Sequence, residues 1–567
     1  MVASTHWLAS AAGMAVLEHG GNAFDAAAAV AFTLHVTEPH MNGPGGEVPA
    51  IFVTAADPTP RVLCGQGVAP AAATIAAYRD LGLELVPGTG PLAATVPGAV
   101  GAWLTLLRDH GTLPLRDILT YAIGYAEQGH PVAEAVVLTI RTVEELFRTY
   151  WPTSAQLWLP VPEPGRLIRN PALAATYRRL VDEAEAAGAG REAQLDAAYR
   201  AWYEGFVAEE LDAFCRTEIL DDSGTPHAGL LTGADLAAWR PSYEPTVSLD
   251  AFGRTVHKVG SWSQGPVLLA QLAMLEQLGE LPPPGSAELI HRVVEVAKLA
   301  FADRDANYGD TDVDLARLLS AEYAAERAKL VTDEAAPPLR PGAGRLPRYV
   351  TDAHEVAPTG LGIGEPTLGP LGTTRGDTCH IDVADRWGNV ISATPSGGWL
   401  QSSPVVASLG FCLGTRAQMF WLEEGLPNSL APGKRPRTTL SPSLATRDGE
   451  VLSFGTPGGD QQDQWQLGFL LNHAGHGMNL QEAIDAPAWH TTQFASSFYP
   501  RATGDELLVE SRVDSKVRDE LSRRGHNVVE VEPWSLGRLS AVSRDTTSGL
   551  LRAAANARGM QGYAAGR

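Results

Sequence analysis

One stretch without pattern, Asp333 to Asp377, constrains this chain more than any single helix or strand in it. It is rich in Pro, Gly and Thr and shows neither helical nor strand periodicity. A structureless segment of that length inside a compact domain is uncommon unless it is functional or disordered. It delivers the chain to Thr378. From there Thr378, His380 and Asp382 alternate with Cys379, Ile381 and Val383, the period of a strand. Asp385-Arg-Trp-Gly388 then turns the chain, and Asn389 to Thr394 returns. Scission between Asp377 and Thr378 would leave a threonine with a free α-amine at the head of a strand. Such a residue is a nucleophile that carries its own base, since the amine's ordinary pKa of about 7.7–8.0 lies close to neutral pH. The plainer alternative is that Thr378 is an ordinary residue at a strand start.

The remaining partner for acyl chemistry is a place for the oxyanion. Val451 to Gly455 has strand character and is followed by Thr456-Pro-Gly-Gly459 and a helix from about Gln461 to His473. Gly458 and Gly459 thus offer two unhindered backbone N–H groups beside a helix N-terminus, which suits a developing oxyanion. Other motifs carry less. Asn42-Gly-Pro-Gly-Gly46 is a tight glycine loop without phosphate-loop spacing. Gly260-Ser-Trp-Ser-Gln-Gly265 misses the nucleophile elbow by one glycine. Asp310, Asp312 and Asp314 alternate like a calcium loop, but the glycine and terminal glutamate are missing, so a solvated loop is expected.

Composition narrows the class. A chain of 567 residues holds several domains or one large layered α/β unit with a second lobe. Its net charge of −22 disfavours nucleic acid, which needs a basic face. Cys64, Cys215, Cys379 and Cys412 are scattered, with no zinc or disulfide spacing; Cys379 is notable only for adjoining Thr378. Met1 to His6 lacks the basic start of a secretory signal, and the Ala-rich run Ala26 to Val36 is shorter than the roughly 20 residues that span a bilayer. A cytoplasmic location without membrane attachment is expected, and no metal or organic cofactor is implied.

These pieces, taken in order, resemble the γ-glutamyltransferase family of N-terminal-nucleophile hydrolases from end to end. The matching blocks are Ala9 through Gly20-Gly-Asn-Ala-Phe-Asp25, Glu38-Pro39 with Gly43-Pro-Gly-Gly46, Val96-Pro-Gly98, His291 to Arg304, Thr378-Cys-His380 with Gly388-Asn389, Pro432-Gly-Lys-Arg-Pro436 with Ser441-Pro442, and Pro457-Gly-Gly459. The resemblance implies an α+β fold, a four-layer αββα sandwich with a helical lobe. It implies a precursor that cuts itself into a large piece, 1–377, and a small piece, 378–567, which stay together; a dimer of these is left open. By the same resemblance Thr378 is the nucleophile, Gly458 and Gly459 form the oxyanion hole, Ser396 supports the nucleophile, and Thr438 and Thr439 match a serine pair that binds substrate carboxylate.

The departures concern the acyl pocket. Where family transpeptidases have an arginine for the glutamyl α-carboxylate, this chain has Gln66 or Gly67. Where they have an aspartate for the amine, Gln418-Met419 is followed by Phe420-Trp421, and an asparagine that holds the glutamyl head matches Gly398. A site lacking these polar partners cannot select the same zwitterionic head. The expectation is therefore an amidohydrolase for a small non-γ-glutamyl amide, resembling oxamate amidohydrolase-like or acylase-like relatives, with a flat apolar pocket lined by Trp399, Phe420 and Trp421. Arg416, Lys434, Arg435 or Arg437 are candidates to pair a substrate carboxylate. A γ-glutamyl hydrolase or transpeptidase with rearranged anchors, and a non-catalytic binding protein, are the alternatives.

Overall fold

The computed structural model describes residues 1–188, 190–348, 378–557 and 562–567. Two antiparallel sheets lie face to face. The first has seven strands in the order Tyr563–Ala565, Val2–Ser4, Ile381–Ala384, Val390–Ala393, Val48–Val53, Arg61–Gly65, Ser242–Pro245. The second has six, in the order Leu551–Ala555, Ser540–Asp545, Glu450–Gly455, Ser443–Arg447, Arg254–Lys258, Val247–Ala251. Strand alternation sorts the side chains by layer. Ile51, Val53, Val62, Ala384, Val390, Leu444, Val451 and Val542 fill the space between the sheets. Cys379, Ile381, Val383 and Ile391 face the other way, into a core shared with the helices Ala23–Thr37, Ala99–His110 and Leu115–Gln128. Pro266–Gln277 and Ala287–Asn307 cover the outer face of the second sheet. The result is the expected αββα sandwich.

Local chemistry sets these elements. Asn22 and Asp25 close a capping box at the start of Ala23–Thr37, every residue of which is buried. Its alanines let the helix be packed on all sides. The turn after Ile381–Ala384 is tied by Asp385, whose Oδ1 accepts from the backbone N–H groups of Trp387, Gly388 and Asn389 at 2.9–3.0 Å. Its Oδ2 accepts from the N–H of Ala23 at 2.9 Å, so one carboxylate holds both the hairpin and the N-terminus of the buried helix. The helical lobe comprises Glu134–Thr149, Pro152–Trp158, Pro171–Ala186, Arg191–Tyr203 and Phe206–Cys215.

The expected loop from Asp333 to Asp377 is described only to Arg348; the rest, with the expected cut, lies outside the described residues. Its first part is stitched to Ala287–Asn307: Ala336 N–H donates to Glu295 (3.2 Å), Lys298 Nζ donates to Ala336 O (2.6 Å), and Gly342 N–H donates to Asp303 (2.7 Å). No described helix is long and apolar enough to cross a membrane.

Candidate active site

Thr378 lies fully buried just ahead of Ile381–Ala384, an inner strand of the first sheet, in an antiparallel bridge with Ser396. Its Oγ donates to Ser396 Oγ at 3.3 Å, and the next N–H, of Cys379, donates to Pro395 O at 2.9 Å. His380 and Asp382 follow on the same side. His380 Nδ1 contacts Thr394 Oγ at 3.0 Å, its Nε2 lies 3.1 Å from Asp382, and Asp382 accepts from Ser540 Oγ of the second sheet at 2.7 Å. The sheets approach closely here: a Cβ on Gly455 would lie 2.2 Å from the His380 ring. Cys379 points the opposite way, its thiol donating to Glu38 at 3.2 Å and accepting from Asn42 at 3.1 Å. Burial pushes that thiol well above its ordinary range, and Glu38 adds to the effect, so it is an inert neighbour of Thr378. Burial likewise raises the Glu38 carboxyl.

Behind Ser396 lies a charged pair. Arg416, in the short turn Arg416–Met419, donates from Nη2 to Ser396 Oγ at 2.8 Å and pairs with Glu47. Glu47 is itself knit to Ser396, each N–H donating to the other's carbonyl at 2.8 and 3.0 Å. The Arg416 guanidinium lies 5.2 Å from the centre of the Trp399 ring, and both residues are buried. The Gly43–Gly46 loop packs against this segment. Cβ atoms on Gly43 and Gly46 would fall 2.6 Å from Gly398 O and 2.1 Å from Ser396 O, so these glycines serve backbone approach rather than anion binding.

Gly458 and Gly459 occur as expected between strand Glu450–Gly455 and helix Gln462–Leu470. Their φ values are +123° and +51°, and a Cβ on Gly458 would lie 2.2 Å from the Trp465 ring. Among the described residues neither N–H is spent on a hydrogen bond. Thr438 is buried beside Ser263, to which it is bridged, and Thr439 Oγ is buried without a partner among the described residues. Ser263, the near-elbow serine, donates to Leu440 O at 2.6 Å, a structural bond.

Several expectations about the pocket need correction. Trp399, Phe420 and Trp421 do not form one wall: they belong to three separate clusters, Trp399 with Met419 and Phe498, Phe420 with Tyr78 and Leu92, and Trp421 with Leu85 and Leu426. The Trp421 ring carries the Arg501 guanidinium at 4.0 Å, and Arg501 donates to the carbonyls of Gln418 and Phe420. Lys434 is spent on the carbonyls of Pro427 and Ser429, Arg435 on Glu244 and Asp310, and Arg437 on Asp305 and Ser497. Asp310 is thus an ion-pair partner rather than a solvated loop residue. Gln66 is buried and donates its amide to Gly67 O at 3.3 Å; Gly398 holds φ +66° against the glycine loop. Of the four cations Arg416 is the one hydrogen-bonded to Ser396, the bridge partner of Thr378. Glu47 was missed, and its position next to Gly43-Pro-Gly-Gly46 in a buried strand entry was the one available signal.

A four-layer sandwich with a threonine at a strand head between its sheets is the architecture of an N-terminal-nucleophile hydrolase, an enzyme that breaks amide C–N bonds. Residues 9–566 match the family description Gamma-glutamyltranspeptidase, and the chain belongs to that family. It is 32% identical to the oxamate amidohydrolase proenzyme of Klebsiella pneumoniae, over 100% of this chain and 98% of that one. The solved structure of LmbA2991HD shares 58% identity at a TM-score of 0.94, covering 100% of this chain and 98% of that one. Cephalosporin acylase from Bacillus halodurans shares 29% at a TM-score of 0.82, covering 99% and 94%.

Proposed function

We propose that this protein is made as a precursor, cuts itself between Asp377 and Thr378, and then hydrolyses a small amide whose acyl group is not γ-glutamyl. Thr378 Oγ attacks the carbonyl carbon while its α-amine takes the proton. The oxyanion is held by the N–H groups of Gly458 and Gly459. Collapse breaks the C–N bond, the leaving amine takes the proton from the α-ammonium group, and water then attacks the acyl-enzyme, releasing the acid. Ser396 orients the nucleophile. The relatives named as an oxamate amidohydrolase and a cephalosporin acylase support a changed acyl group, and the word proenzyme in the former supports processing.

The observation that carries this reading is the loss of the glutamyl anchors. Trp421 packs under Arg501, Gln66 bonds its own chain, and Gly398 has no side chain, so the three positions that the resemblance gives to the glutamyl head offer no ionic partner for its charges. The test is intact mass with N-terminal sequencing of fresh protein, followed by ammonia release from oxamate and p-nitroaniline release from a γ-glutamyl anilide. Fragments with one beginning Thr-Cys-His-Ile-Asp, and no anilide turnover, are expected. An uncut chain refutes the nucleophile, and rapid anilide turnover refutes the pocket argument.

A further inference from the structure

Arg416 and Glu47 form a buried pair that nothing in the proposed reaction yet uses. Resting on that proposed function, we infer that Arg416 is a positioning residue that acts on Thr378 through Ser396, and that Glu47 is the tether that fixes it. Nε and Nη2 of Arg416 face the Glu47 carboxylate, Nη2 also donates to Ser396 Oγ at 2.8 Å, and Nη1 lies 3.7 Å from Met419 Sδ. Trp399 covers the guanidinium at 5.2 Å, with Phe498 at 5.9 Å. A flexible lysine could meet one of these partners in this space, but its point charge lacks the planar fork that meets both.

The consequence follows from what a hydroxyl can do. Ser396 Oγ has one proton and two lone pairs. In the chain as folded it accepts from Arg416 and from Thr378. In the mature enzyme the Thr378 Oγ proton goes to the free α-amine. In the precursor, where that nitrogen is still the scissile amide, the proton passes through solvent water to the nitrogen as the C–N bond breaks. In both steps Oγ is electron-rich as it bonds to the carbonyl carbon. Ser396 then turns its own O–H toward that oxygen across the same contact. A hydroxyl that already accepts from a cation is a stronger donor, because the charge polarises the O–H bond. No proton changes hands at Ser396; the hydrogen bond only reverses direction. Glu47 also cancels the guanidinium charge, so Arg416 strengthens Ser396 without presenting a net cation to the substrate. That argues against Arg416 as an anchor for a substrate carboxylate.

The experiment uses the full chain and self-cleavage as its readout, because this step needs no knowledge of the substrate. Wild type, Arg416→Lys, Ser396→Ala, Glu47→Gln and the double variant Arg416→Lys/Ser396→Ala are made by cell-free synthesis, and loss of the precursor is timed by mass at several pH values. Arg416→Lys and Ser396→Ala are each expected to slow cleavage at least tenfold, with the double variant no slower than Ser396→Ala alone. Glu47→Gln, nearly the same shape, is expected to slow cleavage while its melting curve stays cooperative, which separates the role from misfolding. In a further variant made the same way, Arg416→Ala, added millimolar guanidinium is expected to speed cleavage, and to leave Ser396→Ala unchanged. Multiplying losses in the double variant, or Arg416→Lys and Glu47→Gln chains that cut at the wild-type rate, overturn this inference while leaving the nucleophile intact. A wild-type chain that never cuts overturns both.

Discussion

Gly458→Ala is the sharpest test of the proposed oxyanion site. The substitution meets two obstacles. At φ +123° an L-residue is held in a sparsely populated conformation, at a cost of about 1–3 kcal/mol. The new methyl would also stand 2.2 Å from the Trp465 ring, which packs in a buried cluster with Leu508 and Leu536 and meets His490 edge-on at 5.3 Å. The ring is therefore not free to step aside, and the backbone of Gly458 and Gly459 must rotate instead. That swings the two N–H groups away from the reacting carbonyl. Loss of one such donor costs about 10²–10³ in rate, or about 2.7–4 kcal/mol. The assay is the precursor half-life by mass, then turnover of whichever amide the wild type hydrolyses. A second chain, Gly458→Ala with Trp465→Leu, relieves the clash but not the dihedral strain and is expected to recover only part of the rate. Wild-type cleavage and turnover by Gly458→Ala would refute the assignment of these N–H groups.

Acid lability is expected below about pH 6, because burial holds His6, His35, His40, His490 and His526 at about 3 against an ordinary 6.5. Between those values the unfolded chain binds more protons, so stability falls as pH drops, by up to about 1.4 kcal/mol per pH unit per histidine. Buried carboxyls raised by burial, Glu38 and Asp463, oppose this in part; melting temperatures that stay level from pH 7.5 to 5 would refute the argument. Trp421→Asp is expected to gain no γ-glutamyl anilide turnover, since the new carboxylate meets Arg501, whose guanidinium lies 4.0 Å over the present ring; p-nitroaniline release decides it. Ser540→Ala removes the 2.7 Å bond to buried Asp382 and is expected to destabilise by about 1–3 kcal/mol, read as a lower melting temperature.

The fold was legible where periodicity and family motifs coincide. The strand from Ile381 and its return through Val390–Ala393 could be read from alternation and from the turn at Asp385-Arg-Trp-Gly388. The glycine pair could be read because a strand, two glycines and a helix follow in order. The acyl pocket was less legible, because adjacency in sequence says little about which cluster a side chain joins. Phe420 and Trp421 are neighbours that point into different cores. The charged pair was hidden for the same reason: Glu47 and Arg416 are far apart in the chain and meet only when the Gly43–Gly46 loop closes on Ser396.

The strand pairing bears on what becomes of the protein after a cut before Thr378. Ile381–Ala384 is hydrogen-bonded on one side to Val2–Ser4, Val390–Ala393 pairs with Val48–Val53, and Tyr563–Ala565 returns to Val2–Ser4. Strands from the two pieces are therefore interleaved within one sheet, Val2–Ser4 lying between Tyr563–Ala565 and Ile381–Ala384 and Val390–Ala393 lying against Val48–Val53. Pulling them apart would strip several rows of backbone bonds at once. Folding would then be a one-time event of the uncut chain. Once denatured, the mature enzyme would have to rebuild its central sheet by an encounter between two molecules, so its recovery would depend on concentration where that of its precursor would not.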